Sequence, residues 1–139
     1  MYLPVSVTRW SITVVAVAMS VFHLYVAFFG PPDAYVMRGL HLAFALALAF
    51  LILPGRNGTA ERVSIFDLAL LLAACAASLY PMFNLNYIQM RMYYVDDPTT
   101  WDYVFGITLI VLVMEATRRA TGWALTVTAA LFLLYGLTW

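Results

Sequence analysis

The chain of 139 residues is 65% hydrophobic and 10% charged, with a mean hydropathy of +0.90, against roughly 25% charged in an average soluble domain. A core of ordinary size cannot hide this much apolar surface, which speaks against a water-soluble globule. Seven Arg and no Lys balance seven acids, and the single cysteine, Cys75, lies in an apolar run; this argues against a nucleic-acid surface, an internal disulfide framework and a thiolate metal site.

Four stretches without a formal charge, 10–29, 39–55, 68–90 and 120–139, have the 17–23 residues that a membrane-spanning helix requires. Alternation with period two is absent and Ala, Leu and Met abound, so the spans read as helices and not as barrel strands. The first is predicted over 10–29, stopping at Gly30-Pro31-Pro32-Asp33, where a glycine precedes prolines that cannot continue a helix. The second is predicted over 36–53, or from Ala34, and ends at Pro54-Gly55, followed by a polar loop over 56–64 with Arg56 and Arg62. The third covers 65–83, with Ser64 as N-cap and Asp67 in the first turn; Pro81 is expected to bend or break its last turn. Residues 84–97 are tyrosine-rich and amphipathic, an interfacial segment at headgroup level.

The last stretch, 101–139, would make a helix of about 58 Å, against a hydrocarbon core of about 30 Å. It also carries Glu115, Arg118 and Arg119 in its middle, each costing about 2.5–3.5 kcal/mol at the bilayer centre. Two segments, 101–116 and 123–137, joined by a turn over 117–122, are the cheaper solution, with Trp101, Trp123 and Trp139 at interfaces. One span followed by an interfacial helix is the alternative. The fold expected is therefore an all-α integral membrane domain of four transmembrane helices plus a fifth hydrophobic one. Arginine placement sets its orientation: with a cytoplasmic N-terminus, Arg9, Arg56, Arg62, Arg118 and Arg119 face inside and Arg38 and Arg91 outside, as the positive-inside rule favours. The first run is too long for a signal-peptide core and lacks a small-x-small site before Gly30, so it reads as an anchor.

Chemistry is sparse. No phosphate loop, Ser–His–Asp trio, HExxH motif or cysteine pair is present, so the chain does not read as an enzyme. His23 and His41 fall at similar depth on neighbouring helices; they either bond locally or hold a b-type haem. Glu115, Arg118 and Arg119 are spaced to pair on a helix end, as a cytoplasmic turn against lipid headgroups or a docking point for another subunit. Arg38 and His41 are further candidates for subunit or headgroup contact. Asp67 and Asp102 read as helix-dipole partners, and Asp96-Asp97 as a solvated turn. The small residues Ala69, Ala73, Ala74, Ala76, Ala77 and Ser78 form a face that permits close helix approach.

Three runs are familiar. Arg38-Gly39-Leu40-His41-Leu42-Ala43-Phe44-Ala45, closing at Leu53-Pro54, and Pro98-Thr99-Thr100-Trp101-Asp102-Tyr103-Val104-Phe105-Gly106 are two of them. The most specific is Glu115-Ala116-Thr117-Arg118-Arg119-Ala120-Thr121-Gly122-Trp123-Ala124-Leu125, ending Phe132-Leu133-Leu134-Tyr135. Together they resemble the small-subunit region of TRAP transporters of the TAXI class over most of 38–136. In many members of that class this region opens a longer polypeptide that continues into a large permease half, and 123–137 resembles the linker helix leading to it. The resemblance implies a small (Q-type) subunit in the bacterial inner membrane, without cofactor or transport site of its own. Its implied partners are a large (M-type) permease subunit, a periplasmic TAXI substrate-binding protein and membrane lipids. It further implies sodium- or proton-coupled uptake of organic acids such as dicarboxylates, through an elevator in the large subunit. A static frame that fixes the depth of that elevator is the role expected here, bound through small-residue and aromatic faces. The small subunit of another tripartite carboxylate carrier and a haem-binding electron-transfer anchor are the alternatives.

Overall fold

The computed structural model describes residues 4–53, 55, 63–92 and 95–138. It is a helical bundle of α1 (Val5–Phe29), α2 (Ala34–Ile52), α3 (Ile65–Phe83), α4 (Leu85–Met90), α5 (Thr100–Thr121) and α6 (Trp123–Thr138). The helices α1, α2, α3 and α5 are long and apolar enough to cross a membrane, which marks a multi-pass membrane protein. The expected polar loop with Arg56 and Arg62, the stop at Pro54, the tyrosines Tyr93 and Tyr94, and Trp139 lie outside the described residues.

Neighbouring long helices run antiparallel, as cross-helix contacts at both ends require. Phe22 and His23 near the end of α1 meet Phe44 and His41 in the first half of α2. Leu53, just past α2, shares a partner with Asp67 at the start of α3, and Tyr80 at the end of α3 bonds Asp102 at the start of α5. The bundle thus has an Arg119 end, holding the start of α1, and an Asp102 end.

The core lies between α2, α3 and α5, where Leu46, Phe50, Ala74, Leu112 and Ala116 are buried together. The small-residue face of α3 is used inside this chain: Ala74, Ala77 and Ser78 are buried. A Cβ on Gly39 of α2 would stand 2.6 Å from the Ser78 carbonyl oxygen, so the absence of a side chain there sets the helix separation. This is the close helix approach expected of that face, while its Ala69 and Ala76 stay exposed. The bare faces are elsewhere, on α1, where Thr8 is the one buried residue, and on α6, where Thr126 is.

Three boundaries differ from expectation. The first helix starts at Val5, so Arg9 lies within it. Pro81 does not break α3, which continues to Phe83 although the proline offers no N–H to the Ala77 carbonyl. The turn expected over 117–122 shrinks to Gly122, and α5 runs on through Arg118 and Arg119 to Thr121. Its 22 residues span about 33 Å, and Arg118 and Arg119 fall in the last turn, where cations complement the helix dipole. Gly122, with φ 85°, takes a conformation that L side chains avoid and lets the chain reverse. Were α5 and α6 one rod, Leu109 and Leu133 would stand about 36 Å apart; instead they line one groove. The 16 residues of α6 reach about 24 Å, short of the roughly 30 Å hydrocarbon core.

Candidate functional site: two polar clusters at the ends of the bundle

The Arg119 end is organised by one guanidinium. Arg119 Nη1 donates to Asp67 Oδ1 at 2.7 Å and to the Leu53 carbonyl at 3.1 Å, while Nε donates to Glu115 Oε1 at 2.7 Å. The side chains of Arg119 and Asp67 are 4% and 1% exposed, and the guanidinium carbon lies 5.2 Å over the Phe50 ring. One side chain on α5 thereby neutralises the buried anion of α3 and caps the Leu53 carbonyl at the end of α2. Gly55 belongs to the same knot, its N–H 3.5 Å from Asp67 Oδ2. Arg118 sits outside it: it forms a two-pronged pair with Glu115, both bonds 2.8 Å, and lies 5.3 Å over the Trp123 ring.

The Asp102 end is organised by an anion. Asp102 Oδ1 accepts from the Tyr80 hydroxyl at 2.8 Å, and Oδ2 from the Tyr87 hydroxyl at 2.8 Å, the Thr99 N–H at 2.8 Å and Arg91 Nη1 at 3.3 Å. The Thr99 hydroxyl accepts from the Asp102 N–H in return, completing a capping box that satisfies two orphan donors at once. Tyr80 also stacks on Phe105 at 4.5 Å. Gln89 of α4 donates to Asp33 Oδ2 at 2.7 Å, and Asp33 accepts from the Tyr35 N–H as N-cap of α2. The short helix α4 is thus tied to both α5 and the α1–α2 corner.

His23 and His41 meet directly. His23 Nδ1 lies 2.7 Å from the Met19 carbonyl, which can only accept, so Nδ1 carries a proton. With His23 neutral, its Nε2 accepts from His41 Nδ1 at 2.9 Å. Two nitrogens on opposite sides of one metal, each at about 2.0 Å, stand about 4 Å apart; as placed, the pair is a hydrogen bond between α1 and α2 and not an axial couple. Among the described residues no group of three or more His, Cys, Asp or Glu is placed to hold a metal.

Of the residues singled out from sequence, Glu115, Arg118 and Arg119 are brought together, but Arg119 is enclosed by its own chain and faces neither headgroups nor a partner. Arg38 and His41 are exposed on α2. Sequence reasoning took Asp67 and Asp102 as dipole partners and placed Tyr87 in an interfacial segment; the structure makes Asp67 the counter-ion of Arg119 and gathers Asp102, Tyr80 and Tyr87. The available signal was the cost of a carboxylate in an apolar helix, which calls for a partner. Comparison with protein families, with curated proteins and with solved structures finds no match.

Proposed function

We propose that this chain is the small membrane subunit of a TAXI-type TRAP transporter, a frame against which a larger elevator subunit moves solute. The observation that supports this most is the division of the molecule into a tied interior and bare flanks. Both ionic clusters, one buried and one partly exposed, are satisfied by the chain's own groups, which suits a rigid part better than a solute site, where unfilled polar groups or broken helices face the ligand. The exposed apolar lengths of α1 and α6 offer lipid-depth surface for a large subunit, with Trp10, Trp101 and Trp123 exposed as interfacial anchors. In this reading the Arg119 end, which carries Arg9, Arg118 and Arg119, is cytoplasmic in the bacterial inner membrane, and the Asp102 end faces the periplasmic binding protein. The motif runs over 38–136 point to the TAXI class, and organic acids such as dicarboxylates are the solutes that class implies.

The test is reconstitution. A larger integral membrane protein should co-purify with this chain. Liposomes holding that protein and the substrate-binding protein should lose most uptake when this chain is omitted. Full-rate uptake without it would end the scaffold reading.

A further inference from the structure

Leu42 on α2, Leu109 and Val113 on α5, and Ala129, Phe132 and Leu133 on α6 line an open apolar groove of about 540 Å³. It lies where α6 turns back from α5 at Gly122, with Thr126 buried and the residues from Leu131 onward exposed. The volume is that of a small-molecule site, which spans about 300–1,000 Å³. The groove's lining is apolar along its whole length, and a flexible hydrocarbon chain can lie along it.

A charge stands one helical turn from the groove. Arg38 stands four residues before Leu42, on the same α2 face and about 6 Å nearer the Asp102 end. It is exposed and, among the described residues, makes no ion pair or hydrogen bond, whereas Arg118 and Arg119 are held by carboxylates. In the second turn of an apolar helix its stem can lie along the hydrocarbon while the guanidinium reaches headgroup depth. A guanidinium at that depth matches phosphate oxygens. We propose that the groove holds one anionic phospholipid, an acyl chain between α2, α5 and α6 and the phosphate on Arg38. The site requires only that the chain sits in a bilayer and is independent of the transport reading.

The experiment uses the full chain in nanodiscs of equal phosphatidylglycerol and phosphatidylcholine, followed by release into mild detergent and native mass spectrometry. One phospholipid per chain should survive release, with phosphatidylglycerol enriched about fivefold, the scale of one basic side chain facing an anionic headgroup. R38Q should retain a lipid but hold both kinds equally. A129F, which fills the groove, should lose both. The headgroup ratio in R38Q decides the matter whether or not A129F folds. No retained lipid, retention without headgroup preference, a preference unchanged in R38Q, or a lipid-free dimer would each overturn the proposal.

Discussion

The two ends of the bundle solve the same problem, a carboxylate among apolar helices, by opposite means. At the Arg119 end, Asp67 is 1% exposed and answered by a full positive charge that is 4% exposed. At the Asp102 end, a carboxylate 15% exposed takes two phenol hydroxyls and a backbone N–H, with Arg91 more distant at 3.3 Å. A buried charge that loses its partner has nothing to replace it, while one near water and neutral donors can rearrange. The first end therefore governs whether α2, α3 and α5 stay together, and the second governs how α4 and the end of α3 are held to the start of α5.

The sharpest way to break that contrast is Arg119→Gln, which leaves Asp67 uncompensated. It should cost about 3–5 kcal/mol, read as a loss of unfolding free energy in detergent. Pairing it with Asp67→Asn should restore much of the loss, because no buried charge is then left over. If the single substitution costs no more than a surface pair, Asp67 is not the buried anion it is taken to be. Asp102→Asn should cost less, about 1.5–3 kcal/mol for hydrogen bonds to a charged group. Its effect should appear first as faster hydrogen exchange over Leu85–Met90 and the first turn of α5, with α2 unchanged. Global unfolding as large as that of Arg119→Gln would erase the distinction between the ends.

Gly39→Ala tests the middle of the bundle, away from either cluster. The added Cβ meets backbone 2.6 Å away, which cannot swing aside as a side chain can. The helices must separate, at about 1–3 kcal/mol for overpacking, and thermal unfolding in detergent should show it. A neutral result would mean that α2 and α3 slide to accommodate a methyl group.

The apolar runs made α1, α2 and α3 legible, because length and charge-free composition alone fix a spanning segment; the fourth charge-free run became the shorter α6, and the fourth long helix is α5, which carries Asp102, Glu115, Arg118 and Arg119. Ser64 and the Gly30 stop were equally readable, since caps are local chemistry. The end of α5 was not: Arg118 and Arg119 looked like a loop only while their partners were unknown. Asp67 stands 52 residues from Arg119, and no local pattern announces a pairing across that distance. Tyr80 and Tyr87 failed for a related reason, as a tyrosine at a membrane interface looks the same whether its hydroxyl meets water or Asp102. The His23–His41 depth match was visible from helix positions, but its outcome, a hydrogen bond rather than a ligand pair, depended on ring orientation.

The smallest expected effect separates the two arginines that sequence treats as one cluster. Glu115 is 26% exposed and Arg118 31%, so their pair resembles a surface ion pair despite its two short bonds. Glu115→Gln should cost about 0.2–1 kcal/mol, and the difference from wild type should shrink as salt rises. Arg119 keeps Asp67 and the Leu53 carbonyl in that variant, so the knot joining α2, α3 and α5 should hold and the Arg119→Gln penalty should show no such salt dependence. A salt-insensitive loss in Glu115→Gln matching that of Arg119→Gln would make Glu115 the main counter-ion, moving the tie from between helices to within α5.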